Sequence, residues 1–341
     1  MHRNLLGGVA AVSMLWGGAA QAFTPESGFW IAPAENGRGY SIEIQDNYLF
    51  LAFYVYDSQG RTIWYTAQGD MSGNARFTGR LDGYANGQCL TCTTPVNPQV
   101  GLGVGGNIEV IFDSEVRGRV ILNGRTITVE RFNFALARGL SDIRAGSMLG
   151  EWQAVLDYSA VPGTDSRYYG EVMVFNRLRN SGGVNYFEGC RPDNTVSGTC
   201  SAAALANRDA SGFYDPASGR YFVLVGNTST TLAVYSLTMG TYQFDGAMKV
   251  CSRNLSSITA QCLNNGAITS QPVRGFRTAS RSFVQTGVGP SSVEPDPKSA
   301  VAIAGLPVAE DPAKAAQVSE GFDPATLPAA TLDALARSMQ R

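Results

Sequence analysis

The chain has 341 residues with 26 basic and 28 acidic side chains, a net charge of −2 and no basic run. That balance excludes the electrostatic footprint of a nucleic-acid or anionic-membrane binder. The one histidine, His2, lies in a segment expected to be removed, which excludes a Ser-His-Asp triad, a Cys-His pair and histidine metal ligation.

The amino terminus, MHRNLLGGVAAVSMLWGGAAQAF, has a short basic start, an apolar stretch from Leu5 to Trp16 and the small-residue pattern Ala20-Gln21-Ala22. These are the marks of a secretory signal peptide over residues 1–22, cleaved before Phe23. The stretch is too short for a spanning helix, and no later run approaches the ~20 apolar residues one needs. The expectation is a mature chain without a transmembrane segment, periplasmic or extracellular.

From Phe23 the chain reads as short strands separated by turn signals, with almost no helical periodicity before its end. In a first unit, 23–139, strands are predicted at Gly28–Pro33, Gly39–Gln45, Tyr48–Tyr56, Thr62–Gln68, Arg76–Leu81, Gly106–Phe112, Arg117–Leu122 and Thr126–Phe134. The turns between them include QDN at 45–47, DSQG at 57–60 and NG at 123–124. Short loops make sequence neighbours antiparallel, and about eight strands in this length suit a small barrel or a sandwich. A second unit, 140–283, repeats the pattern with strands at Gly150–Tyr158, Tyr168–Arg177, Val184–Glu188, Ala202–Asn207, Tyr221–Gly226, Thr231–Thr238, Tyr242–Cys251 and Ala267–Arg277.

The third strand, YLFLAFYVY, lacks the polar alternation of a half-buried strand. Tyr48, Phe50, Ala52, Tyr54 and Tyr56 fall on one face, and Leu49, Leu51, Phe53 and Val55 on the other. One face must line the interior. The second is expected to be covered by the other unit, by a partner or, least suitably, by lipid. With Tyr40, Trp64 and Tyr65 on neighbouring strands, the aromatic residues Tyr48, Phe50, Phe53, Tyr54 and Tyr56 are the candidates for a ligand site or an interface.

Six cysteines form three close pairs, Cys89 and Cys92, Cys190 and Cys200, Cys251 and Cys262. In an exported chain these read as three local disulfides, sequential pairing being the simplest connectivity, and each bond is expected to clip one loop. The first pair matches the redox spacing C-x-x-C, but TTPVNP follows it and cannot open the helix a redox site needs, so a loop clip is expected there too.

The two units share signposts. One begins Gly28-Phe29-Trp30 and closes ERFNF, 130–134; the other begins Gly150-Glu151-Trp152 and closes VRGFR, 273–277. A G-x-W on the first strand with an arginine on the last resembles lipocalin-like and other calycin barrels. That resemblance implies that Trp30 with Arg131, and Trp152 with Arg274 or Arg277, close their barrels by a cation–π contact. The stretch GFWIAPAENGRGYSIEIQDNYLFLAFYVYDSQGRTIWYTAQGDM, 28–71, is similar to a family of exported proteobacterial proteins of unknown function with the pattern G-x-W-W-x-P-x-E-S-G-R-G-[FY]-x-x-E-x-Q-G. This chain departs from it at Ile31 and at Asp46-Asn47. The resemblance implies export and a domain boundary, and carries no activity.

Beyond Phe283 the composition turns rich in Pro, Ala, Ser and Val, so 284–341 is expected to be a flexible tail. TLDALARSMQR at its end can form a short helix with Leu332, Leu335 and Met339 on one side, in which fraying is favoured over docking.

Together these readings define an all-β protein of two tandem antiparallel small barrels, calycin-like, or sandwiches. The expected function is non-enzymatic binding without metal or other cofactor. It would hold a small apolar ligand in a barrel, or a protein or glycan on the aromatic surface. The alternatives are a hydrolase using the carboxylates Glu35 and Glu43 around Arg38, and a purely structural envelope protein.

Overall fold

The computed structural model describes residues 23–340 apart from 74, 135, 137–138, 162, 165, 193–199, 201–208 and 287–321. The strands of the first unit are β1 (Gly28–Ile31), β2 (Gly39–Gln45), β3 (Tyr48–Tyr56), β4 (Thr62–Ser72), β5 (Arg76–Arg80), β6 (Asp82–Ala85), β7 (Gln99–Gly101), β8 (Asn107–Phe112), β9 (Arg117–Leu122) and β10 (Arg125–Arg131). Eight of them close an antiparallel barrel, barrel 1, in the order β1-β2-β3-β4-β5-β8-β9-β10. Strand β4 pairs with β3 up to Asp70 and then with β5 from Met71, so one long strand turns the corner. The sequence did not signal β6 and β7, which form a small ribbon branching from β4 at Tyr65 and Thr66.

A short helix, α1 (Ile143–Ser147), capped by Asp142 on the Ala145 N–H, leads into the second unit. There β11 (Gly150–Asp157), β12 (Tyr168–Ser181), β13 (Val184–Cys190), β14 (Ala210–Asp215), β15 (Arg220–Gly226), β16 (Thr231–Met239), β17 (Gln243–Ser252) and β18 (Gln271–Ser280) meander in sequence order into a second closed antiparallel barrel, barrel 2. Both units are therefore barrels rather than sandwiches. The strand expected at Ala202–Asn207 lies outside the described residues. The fourth strand of barrel 2 is β14, which the turn YDPASGR joins to β15.

All three expected disulfides are present, Cys89–Cys92, Cys190–Cys200 and Cys251–Cys262, at Cα–Cα separations of 5.2, 5.6 and 5.7 Å. Cys89–Cys92 clips the exposed loop between β6 and β7, as expected. Cys251–Cys262 clips the connection between β17 and β18, again as expected. Cys262 stands in a π-helical turn, Thr259–Leu263, closed by the Asn264 N–H on the Thr259 carbonyl at 2.9 Å, and it is fully buried. Five residues are too few to show a helical period in the sequence. The turn holds because its bond to Cys251 on β17 and the burial of Ile258 and Leu263 beside it pull it into the apolar layer outside barrel 2.

The barrels are closed alike at one end. Trp30 and Trp152 are fully buried, and each indole N–H donates to the carbonyl four residues back, Glu26 at 3.0 Å and Met148 at 2.8 Å. Across each seam the strand register pairs Trp30 with Arg131 and Trp152 with Arg277. Gly28 and Gly150, at φ +127° and +139°, leave room for those guanidinium groups, into which any Cβ would run. Arg277 lies 4.1 Å above the Trp152 ring and donates to the carbonyls of Leu149 at 2.5 Å and of Ser147. Arg131 instead reaches along the rim to the carbonyls of Ser27, Phe29 and Phe132, each at 3.1 Å. Arg274 takes no part in closure; it points outward and pairs with Asp245 at 2.6 Å.

Barrel 1 is filled by Trp30, Tyr40, Ile42, Leu49, Leu51, Phe53, Phe77 and Val120, and barrel 2 by Trp152, Phe175, Phe187, Tyr235 and Phe244. Each such side chain contributes on the order of 1.5–3 kcal/mol by its burial.

Strands β15 and β16 are buried on both faces. Tyr221, Val223, Ala233 and Tyr235 point into the barrel, while Phe222, Leu224, Leu232 and Val234 point out. The outer set is covered by the carboxyl-terminal segment. Following α2 (Arg281–Thr286), the helix α3 (Ala329–Ser338) packs Leu332, Leu335 and Met339, with Phe322 before it, against that wall and against Cys262. The fraying favoured from the sequence does not occur, because the helix finds both an apolar groove and polar anchors. Asp333 accepts from the Thr259 N–H at 3.0 Å and the Ser257 hydroxyl at 2.8 Å, and Arg253 donates to the Met339 carbonyl at 2.9 Å. Among the described residues no helix is long and apolar enough to cross a membrane.

Candidate functional site

The eight aromatic candidates divide between two sides of the barrel 1 wall. Tyr40 and Phe53 are inside, stacked at 4.8 Å with 5° between their planes, and half-buried Tyr65 lies 6.4 Å from Phe53. Tyr48, Phe50, Tyr54, Tyr56 and Trp64 are on the outside, each 40–53% exposed. The tyrosine-rich face of β3 is thus the outer one. Its expected cover by the second barrel is absent, since these five rings stay exposed with both barrels in place.

The exposed rings form a row. Phe134 contacts Phe132 at 5.8 Å, Phe132 contacts Phe29 at 6.2 Å, and Phe29 contacts Tyr54 at 6.3 Å. Tyr54 is the cross-strand partner of Trp64, which stacks on Tyr84 at 4.6 Å. The row is continuous because Gly39 sits between β1 and β3, and the Phe29 ring lies where its Cβ would be. Tyr84 is fixed by a 2.7 Å hydrogen bond between its hydroxyl and that of Thr66. Phe29, Phe132, Phe134 and Tyr84 were not singled out by sequence; the signal was the ERFNF signpost, read only as barrel closure. Rings so exposed and contiguous are rare on a protein surface that meets only water.

At the mouth of barrel 1 lies a cavity of about 250 Å³ lined by Phe53, Val55, Tyr65, Leu122, Ile127, Arg38 and Arg125. Glu35 binds both arginines, at 3.0 Å from Arg38 Nε and in direct contact with Arg125. Beside this cluster the Tyr40 hydroxyl is buried without a hydrogen-bond partner. Burial, outweighing the pull of the Arg38 guanidinium, pushes it up to about 12. It therefore stays protonated, and its O–H is available as a donor. Glu43 points outward from the middle of β2, opposite Phe50. The structure thus places Glu35 and Glu43 on different surfaces of the barrel, with Glu35 committed to two cations, and not as a facing pair of acid and base.

Barrel 2 holds a polar cluster that sequence reasoning missed. Glu171, Arg191 and Tyr235 meet at the end of the barrel beside the Cys190–Cys200 disulfide. Arg191 Nε donates to Glu171 Oε1 at 2.7 Å, and the Tyr235 hydroxyl donates to Glu171 Oε2. Desolvation, reinforced by the Glu171 charge, pushes the Tyr235 phenol well above its usual value, so it remains a donor. The cluster is an internally satisfied plug rather than an open site.

No protein-family model, curated protein or solved structure matches this chain.

Proposed function

We propose that this chain is an exported, non-enzymatic interaction protein that docks a protein partner on the aromatic outer wall of barrel 1. The observation that carries this reading is the contrast between two strands of similar character. The chain buries the outer apolar face of β15 and β16 under its own helix, yet leaves that of β3 bare. Mixed Phe, Tyr and Trp rings tilted against one another suit the contoured core of a protein interface. A flat platform for sugar rings is a poorer match, since the Phe29 and Phe132 planes stand 67° apart.

A photo-crosslinking residue placed at Trp64, in cells that express and export the chain, is expected to trap one dominant protein adduct. Tyr54→Arg should cut that adduct at least tenfold without changing the melting temperature. An adduct pattern no different from one at Val155, an exposed position on barrel 2, would overturn the reading. So would retention of the chain on insoluble polysaccharide that Trp64→Ala abolishes, since the partner would then be glycan.

A second reading rests on the mouth cavity. Its volume, its two arginines and its apolar lining of Phe53, Val55, Leu122 and Ile127 suit a small carboxylate with one aromatic ring or a short aliphatic tail, given that a cavity of about 150 Å³ can hold benzene. Saturating phenylacetate or octanoate is expected to raise the melting temperature of the native chain by about 2–4 °C, and that of Arg38→Met much less. Equal shifts in both proteins would discard this reading.

A further inference from the structure

The segment 23–27, which enters β1, ties the two barrels together. The Glu26 carboxylate accepts from the backbone N–H of Thr241 and, at 3.3 Å, of Tyr242, in the turn between β16 and β17; Gln243 Nε2 donates to the Thr24 carbonyl at 3.5 Å. On the barrel 1 side the Glu26 N–H donates to the Glu115 carbonyl at 2.9 Å, and Arg131 binds the Ser27 carbonyl at 3.1 Å. Glu115, in the turn from β8 to β9, is therefore at the junction, and it is only 1% exposed.

Its Oε2 has no donor in the structure, and its side chain meets that of Asp245 on β17 of the other barrel. Two carboxyl groups in hydrogen-bond contact repel when both are ionised; one proton held between them turns the repulsion into a charge-assisted hydrogen bond. The surrounding charges are few. Glu26 reaches in from the amino-terminal segment, with Arg131 of β10 at 3.9 Å from it. Arg274 of β18 holds Asp245 from the other side, and Arg117 at the start of β9 crosses to Gly219 of barrel 2. Arg131 and Arg277, the latter near Glu26, are already committed to backbone carbonyls.

We propose that a proton shared between Glu115 and Asp245 latches the two barrels together, and that its loss loosens the junction. Burial, with the neighbouring carboxylates of Asp245 and Glu26 adding to it, pushes Glu115 up to about 7. An acid raised in this way holds its proton more tightly in the closed state than in the open one. The contribution of the latch is therefore complete below pH 4.5, the ordinary value of the group, and is lost as pH rises through about 7.

Hydrogen exchange of the full chain tests this at the amides of Glu26, Thr241 and Tyr242, corrected for intrinsic exchange rates. Their protection is expected to fall at least tenfold between pH 5.5 and 8.5, while amides within β15 and β16 keep theirs. In Glu115→Gln, a permanently neutral group that can donate to Asp245, protection at those three amides should stay high at both pH values. Asp245→Asn should flatten the profile as well and serves as the second variant if Glu115→Gln does not fold. No pH dependence in the native chain, or the same fall in both variants, would overturn the proposal.

Discussion

Arg191→Met is expected to destabilise the protein by about 3–5 kcal/mol, the range for breaking a buried ion pair from one side. The Glu171 side chain is 2% exposed and receives the Arg191 guanidinium on one oxygen and the Tyr235 hydroxyl on the other. Removing the arginine leaves a carboxylate inside a barrel filled mainly by aromatic and aliphatic side chains, with the neutral Tyr235 hydroxyl as its remaining donor in this cluster. Two consequences separate this from simple loss of packing. The deficit should shrink as pH falls, because the orphaned carboxyl can take a proton, whereas a cavity has no pH dependence. Glu171→Gln in the Arg191→Met background should recover part of the loss, because the charge is then gone from both sides. Urea unfolding at pH 5 and pH 8 reads both effects. A pH-independent loss below about 1 kcal/mol would show that the pair is as weak as an exposed one.

The same cluster shows where sequence reading runs out. Glu171 shares its inward register with Met173 and Phe175, so a charge in the core phase of a strand was visible in YYGEVMVF. What the sequence could not show is that Arg191 and Tyr235, 20 and 64 residues away, close on it. The strands of barrel 1 were legible for the opposite reason. Each of the eight that form the barrel alternates or ends at a turn signal, and the local rules there agree with the final packing. The ribbon of β6 and β7 carries neither an apolar run nor regular alternation, and it forms only because β4 offers it an edge.

The outer aromatic wall was half legible. Alternation along YLFLAFYVY separates the tyrosines from the leucines, but it does not say which set points inward. That choice is made by the inward Trp30, Tyr40 and Ile42 on the neighbouring strands, whose register with β3 fixes Leu51 and Phe53 beside them. Once the leucine face is inside, the tyrosine face must be outside. The covering of β15 and β16 was hidden for a different reason: its partner segment lies about a hundred residues downstream, beyond a Pro- and Ala-rich stretch that composition marks as a tail. The pairing of Cys262 was legible from spacing, but its burial was not, because the helix that covers it comes from that same distant segment.

Gly150→Val is expected to cost about 3–5 kcal/mol, and the reason is the G-x-W signature itself. Gly150 sits at φ +139°, a conformation a β-branched residue rarely adopts, and its missing side chain leaves the space that Arg277 fills. A valine there strains the backbone, brings its Cβ to 2.6 Å from the Ala279 carbonyl oxygen, and displaces a guanidinium that bonds Leu149 and Ser147 and covers the Trp152 ring. Two of these contributions, the strain and the lost guanidinium, can be measured apart. Gly60 also has a positive φ, +77°, but a Cβ there meets nothing, so Gly60→Ala reports strain alone, about 1 kcal/mol. Arg277→Met removes the guanidinium and keeps the glycine, so it reports closure alone. If Gly150→Val costs no more than Gly60→Ala, the glycine is only a turn residue and the G-x-W triplet says nothing about the barrel. If its cost reaches or exceeds the sum of the two controls, the triplet encodes the seat of the closing arginine. Gly28→Val, under Arg131, should then behave in the same way, and the two barrels would share one physical device despite the differences between their strands.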